Sequence, residues 1–161
     1  MDPAVCREHL STLLREESAL LEELEALLAR EARILQAPDI QALETTTRTR
    51  QERMGALVRL EEQRRSLCEM HGFGEDPAGL EALMAWCDPR GSLVETLRGC
   101  AVLAMRCRDL NDRNGIVVSA RLKRVQGMLS ALTGRQIQQE TYGPKGYATV
   151  AIHPGRSLGA A

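Results

Sequence analysis

With 161 residues the chain is long enough for one domain with a modest core, and its four aromatic residues are too few for an aromatic-lined ligand pocket. Lys and Arg number 21 against 22 Asp and Glu, and the resulting net charge of −1 argues against a nucleic-acid partner. Because Leu, Ala, Glu and Arg dominate the composition, the sequence predicts an all-α protein with long helices.

We expect no signal peptide at the start of the chain. Met1-Asp2-Pro3 lacks the basic start and the apolar run of a signal peptide, and no stretch of the sequence is apolar for long enough to insert into a membrane. We therefore expect a cytoplasmic protein whose thiols are reduced.

A first helix is predicted over residues 3–36, with Asp2 as its N-cap and Pro3 at its first position. Pairs of apolar residues recur at an interval of seven: Leu13-Leu14, Leu20-Leu21, Leu27-Leu28 and Ile34-Leu35. Leu10 and Leu24 widen this stripe, and Glu17 and Glu31 occupy the same heptad column as those two leucines. A heptad pattern of this length predicts packing against other long helices.

A second helix is predicted over residues 39–71, after the break at Pro38-Asp39. The short connection forces the first two helices to run antiparallel as a hairpin. The middle of this helix, residues 45–53, offers few apolar side chains, so we expect it to pack weakly.

A short helix (77–88) and a long last helix (92–133, capped by Ser92) complete a predicted bundle over residues 1–135. Residues 136–161 are rich in Gly and Pro and predict a flexible tail. The first 37 residues hold four Arg and eight acids, and residues 91–135 hold eight Lys or Arg and three acids, so these helices are expected to attract each other weakly.

Five cysteines occur without a CxxC pair, and Cys100 and Cys107 are one heptad apart, as expected for buried thiols that act as small hydrophobes. Cys68 and His71 are spaced for a shared metal ion, but no second pair accompanies them. The three histidines are scattered, and no phosphate-binding loop follows a strand. We expect neither a cofactor nor enzymatic activity.

The last helix has a polar interruption in its apolar stripe. The stripe comprises Leu97, Ala101, Ala104, Val118, Leu122, Val125, Leu129 and Leu132, and its middle positions are Arg108, Asn111 and Gly115, with Asn114 beside them. The two asparagines either form a buried layer that fixes helix register or recognise a ligand. If they serve register alone, leucine at both positions should stabilise the bundle. Gly115 suggests that another backbone approaches closely.

The apolar residues that follow Gly115 are broader than one stripe requires. Val117 and Met128 lie on a face adjacent to that of Val118. They form either a wide core face or an exposed strip for an amphipathic segment of another protein.

The chain resembles the FlgN family of flagellar type III export chaperones in the order of three features: residues 109–115 (Asp-Leu-Asn-Asp-Arg-Asn-Gly), an apolar helix, and residues 141–146 (Thr-Tyr-Gly-Pro-Lys-Gly). The resemblance implies a small cytoplasmic helical protein. Such a protein binds the C-terminal helical segments of hook-associated proteins of the hook–filament junction. It prevents their premature assembly and delivers them to the export gate, a membrane protein of the type III apparatus.

Carried over residue by residue, the resemblance implies two sets of contacts. The client-binding residues would be Asn111, Asn114, Gly115, Val117, Val118, Leu122, Val125, Met128 and Leu129. Tyr142 and Gly143 would dock at the export gate. The competing interpretation is a structural coiled-coil protein without a client, and a weak homodimer is compatible with either.

Overall fold

The computed structural model describes residues 2–37 and 39–133, and all regular structure in these residues is helical. Its four helices are α1 (Pro3–Ile34), α2 (Ile40–Met70), α3 (Pro77–Cys87) and α4 (Val94–Thr133). The predicted all-α fold is confirmed. The chain divides into two compact units, residues 1–121 and 122–161, and the boundary falls within α4. The predicted tail, 136–161, lies outside the described residues.

Each of the first three helices begins after an aspartate whose carboxylate accepts a hydrogen bond from a backbone N–H of the first turn. The pairs are Asp2 with Ala4 (2.9 Å), Asp39 with Ala42 (2.9 Å) and Asp76 with Gly79 (2.8 Å). These bonds satisfy N–H groups that have no partner within the helix.

The start of α4 differs from the prediction that Ser92 caps it. The buried carboxylate of Asp88 accepts the Leu93 N–H at 2.8 Å and the Ser92 hydroxyl at 2.7 Å. Burial raises the pKa of the Asp88 carboxyl, but the hydrogen bonds from Leu93 and Ser92 outweigh burial and hold the pKa below its usual value. A carboxylate can accept both bonds, so the hydroxyl becomes a donor to it.

The predicted hairpin of α1 and α2 is confirmed, and its core is divided into two clusters. One cluster joins the start of α1 to the end of α2 and to α3, and its buried residues are Cys6, Leu10, Leu13, Leu14, Leu60, Leu67, Cys68, Leu83, Met84, Cys87 and Leu93. The other joins the second half of α1 to α4, through Leu21, Leu24, Leu28, Cys100 and Cys107. α1 contributes to both clusters and is therefore the central helix of the first unit.

A ladder of side-chain hydrogen bonds fixes α1 against α4. The Cys100 thiol donates to the Leu14 carbonyl at 3.5 Å, and the Cys107 thiol donates to the Leu21 carbonyl at 3.4 Å. Both pairs are 86 residues apart in sequence, so the two helices run parallel and advance together by one heptad. Small thiols in this column allow α4 to lie close to the α1 backbone.

Charged side chains of α2 reach α1, among them Arg53 of the polar stretch 45–53. Ion pairs join Arg64 to Glu17 at 3.3 Å and Arg53 to Glu23 at 2.6 Å. Burial raises the pKa of Glu17, and the attraction of Arg64 opposes that rise. Arg106 of α4 lies 3.5 Å from Glu25, a partly exposed pair of the weak kind expected between the acidic first helix and the basic last one.

Candidate functional site

Asn114 is the third rung of the ladder between α1 and α4. Its side chain is buried, with 4% of the residue exposed, and its amide nitrogen donates to the Leu28 carbonyl at 3.0 Å and to Glu31 Oε2 at 2.9 Å. Leu28 and Asn114 are again 86 residues apart. Both donors of the amide NH₂ group therefore have acceptors on α1.

Glu31 connects Asn114 to the second helix. This buried glutamate places Oε1 3.8 Å from Arg50 Nη2, and Arg50 Nη1 donates to Asn111 Oδ1 at 2.8 Å. The four residues form a polar layer that ties α1, α2 and α4 together. Because a buried carboxylate is costly without partners, the amide of Asn114 and the guanidinium of Arg50 stabilise Glu31.

The polar layer bears on the two interpretations of the asparagines. The Asn114 amide nitrogen is directed to the chain's own first helix, as a residue that fixes register would be. Asn111 is exposed although its oxygen accepts a hydrogen bond from Arg50. Client contact by either asparagine stays a prediction.

The contacts of Arg50 and Glu31 with the asparagines were not predicted from the sequence. Glu31 gave a signal, because it occupies an apolar heptad column of α1, where a charge needs a buried partner. Arg50 gave none, since it lies among several arginines in the polar stretch 45–53.

Gly115 has open space beside it among the described residues. A Cβ atom built at this position meets no atom within 4 Å. Close approach of another described helix therefore does not explain this glycine. The alternative, approach of a ligand backbone, stays a prediction.

The core face of α4 is rotated from the predicted stripe. Its buried residues are Cys100, Cys107 and Asn114, with Leu103 and Leu110 packed beside the cysteines, whereas Ala101 and Ala104 are exposed. Ala101 and Ala104 have the helical spacing of a core stripe, and so do the cysteines. The structure instead buries the cysteine column, as the heptad spacing of Cys100 and Cys107 predicted.

Apolar side chains of α4 after Asn114 are exposed in both units. In the first unit Val117 and Val118 are 40% and 47% exposed. In the second unit Leu122, Val125, Met128 and Leu129 are exposed by about half, and Leu132 is 83% exposed. We call the residues 117, 118, 122, 125, 128, 129 and 132 the apolar strip. Monomeric proteins seldom expose so many large apolar residues along one helix unless these residues bind a partner.

The thiols have the character expected from the sequence. All five cysteines are unpaired and buried, and burial raises the pKa of each, to about 12 for Cys6. They are therefore protonated packing residues at neutral pH. Within the described part of the chain, no group of three or more His, Cys, Asp or Glu is arranged to hold a metal ion.

The fold is a bundle of long helices that contains a helical hairpin and exposes an apolar face on its last helix. This architecture is typical of the class of proteins that bind other proteins. The family model described as FlgN protein matches residues 1–149. The chain therefore belongs to the FlgN family, a family of flagellar export chaperones. Searches of curated proteins and of solved structures found no match. None of the described helices is long and apolar enough to span a membrane.

Proposed function

We propose that this protein binds, in the cytoplasm, the C-terminal helical segments of hook-associated proteins of the hook–filament junction. It keeps these clients unassembled and delivers them to the export gate. The observation that carries the proposal is the apolar strip of α4, considered with membership of a family of export chaperones. The residues assigned to the client are Asn111, Asn114, Gly115 and the strip residues from Val117 to Leu129.

The exposed residues of α4 suit an amphipathic helix as the client. Val118, Leu122, Val125 and Leu129 recur at steps of three and four residues, the spacing with which one helix packs its side chains along another. A client helix would cover apolar area that is now in water, at about 25 cal/mol per Å² before the costs of association. A micromolar affinity, about −8 kcal/mol, would hold the client and still permit release.

The client site is tested by titrating the C-terminal peptide of a hook-associated protein against the wild type and against Leu122→Asp. Met105→Asp is the matched control, because Met105 is also an exposed apolar residue of α4 and lies outside the assigned set. We expect Leu122→Asp to weaken binding by about tenfold or more, since the cost of burying an unpaired charge exceeds 1.4 kcal/mol. Met105→Asp should bind as the wild type does.

Circular dichroism of each variant establishes that it remains helical. Equal affinity of the wild type and a folded Leu122→Asp variant would place the client elsewhere. Equal losses in both variants would show that a negative charge anywhere on α4 disturbs binding.

Delivery to the export gate is assigned to Tyr142 and Gly143, which lie outside the described residues. A Tyr142→Ala variant should lose affinity for the soluble part of the gate protein and keep its affinity for the client peptide. Tyr147→Ala is the control, since it removes the chain's other tyrosine from the same Gly- and Pro-rich stretch. Loss of client binding in Tyr142→Ala would assign this tyrosine to the client site instead.

A further inference from the structure

The ladder column of α4 continues beyond its last observed rung. Cys100, Cys107 and Asn114 are seven residues apart, and each donates a hydrogen bond to α1. The next residue in that column is Arg121, whereas α1 ends at Ile34, only three residues after Glu31. Arg121 therefore occupies the column position that lies beyond the last helical turn of α1.

Arg121 stands among apolar residues. It is exposed, and it lies four residues after Val117 and four before Val125, so these three neighbours follow one line along a helix. No ion pair of Arg121 occurs among the described residues. Its charge is solvated in this structure. Burying that charge under an apolar partner without a negative group would carry a large desolvation cost.

The charge around Arg121 is of one sign. Residues 113–133 contain four cations, Arg113, Arg121, Lys123 and Arg124, and no acid. A partner that covers this part of α4 therefore gains from negative charge, and a partner that is neutral or positive there leaves the guanidinium unpaired.

We infer that the segment bound by α4 is an amphipathic helix with an Asp or Glu inside its apolar face, and that Arg121 receives this carboxylate. The inference rests on the proposed function and names the chemistry that selects the client. A guanidinium binds a carboxylate through two parallel N–H···O bonds, so it fixes the register of the bound helix as well as its charge. Arg121 thus does for the partner helix what Asn114 does for α1.

An anionic membrane surface is the other partner that a basic amphipathic helix can fit. Helices that lie on membranes carry their cations on the polar face, away from the apolar side chains. Arg121 is in line with Val117 and Val125 instead. This position favours a partner that brings a carboxylate into the apolar contact.

The test compares Arg121→Glu with Lys123→Glu in titrations of the client peptide against the full-length chain. The two substitutions change the charge equally and are two residues apart, but Lys123 lies about 200° around the helix from Arg121, away from the strip. We expect Arg121→Glu to lose about 30-fold or more in affinity, as when a charge at an interface loses its partner. Lys123→Glu should lose less than about fivefold. Arg121→Lys keeps the charge without the fork and should lie between Arg121→Glu and the wild type.

Peptides in which each Asp or Glu is replaced in turn by Asn or Gln identify the partner carboxylate. One of them should bind the wild type weakly, and an arginine at that peptide position should restore binding to Arg121→Glu. A peptide with an amidated C-terminus should bind normally. Loss on amidation would overturn the assignment to a side-chain carboxylate.

The outcomes separate this inference from the proposed function. If the wild type binds the peptide, Leu122→Asp does not, and Arg121→Glu equals Lys123→Glu, the client site stands and the role of Arg121 is wrong. If the wild type does not bind the peptide at all, both fail. Sedimentation with phosphatidylglycerol vesicles is the last arm: vesicle binding that Arg121→Glu abolishes would assign Arg121 to a lipid surface and overturn the inference.

Discussion

Asp88 shows how one side chain determines where a long helix begins. It follows the last residue of α3, and its carboxylate accepts the N–H that starts α4. The same carboxylate orients Ser92. Replacing Asp88 by Ala removes both bonds, and we expect the free energy of unfolding to fall by about 1–2 kcal/mol.

The charge of Asp88 makes this contribution depend on pH. Since the folded pKa lies below the usual value of 3.8, the unfolded chain binds a proton more readily than the folded chain does. The stabilisation is therefore complete above the unfolded pKa and is lost as pH falls through the folded pKa. Urea unfolding from pH 6 to pH 2.5 should show a smaller loss of stability in Asp88→Asn than in the wild type. Parallel curves would contradict the assigned role of the charge.

Gly115 is a second position where one residue can be tested alone. Because a Cβ at this position meets nothing within 4 Å, Gly115→Ala should raise the free energy of unfolding by about 0.5–1 kcal/mol. Gly99→Ala is the control on the same helix, since Gly99 has equal space around it, and it should stabilise the protein similarly.

The two glycine variants should differ in client binding. If a client backbone packs against Gly115, Gly115→Ala binds the peptide more weakly than Gly99→Ala does. A loss of stability in Gly115→Ala, measured by urea unfolding, would contradict the open space around this residue.

At the scale of elements, the parallel ladder between α1 and α4 ends in the polar layer. From the sequence pattern, leucine at Asn111 and Asn114 is expected to stabilise the bundle if the two asparagines serve register alone. The structure leads us to expect the opposite for Asn114, because its amide donates to the buried carboxylate of Glu31.

We expect Asn114→Leu to lower the free energy of unfolding by about 1–3 kcal/mol, since Glu31 Oε2 loses its donor in a buried position. Asn111→Leu is the comparison, and it should change stability by less than about 1 kcal/mol because Asn111 is exposed. The double variant Asn114→Leu, Glu31→Leu should lose less free energy of unfolding than the sum of the losses in the two single variants. A stabilised Asn114→Leu variant would show that the carboxylate does not depend on the amide.

The helices themselves were predictable from local signals. The aspartates before α1 and α2, the proline break and the heptads of α1 act within a few residues of where they stand, so their effects can be read in sequence. The face that α4 buries was harder to predict, because Ala101, Ala104, Cys100 and Cys107 all have helical spacing. Only the contact with the α1 backbone decides among them.

In the whole molecule, the residues that hold the helices together are separate from the exposed apolar strip. α1 joins both core clusters and holds α4 through the ladder up to Asn114, whereas the apolar strip after Asn114 is exposed. The strip could be located from the sequence as a run of apolar residues. Its exposure could not, because a wide core face and a partner surface have the same pattern.

We propose that a client helix binds the part of α4 after Asn114. Hydrogen exchange of the full-length chain, with and without a saturating C-terminal peptide of a hook-associated protein, tests it most directly. We predict that the peptide slows exchange of backbone amides in residues 116–133 and leaves those of residues 97–110 unchanged. Slowed exchange confined to α1 and α2, with residues 116–133 unaffected, would contradict the account.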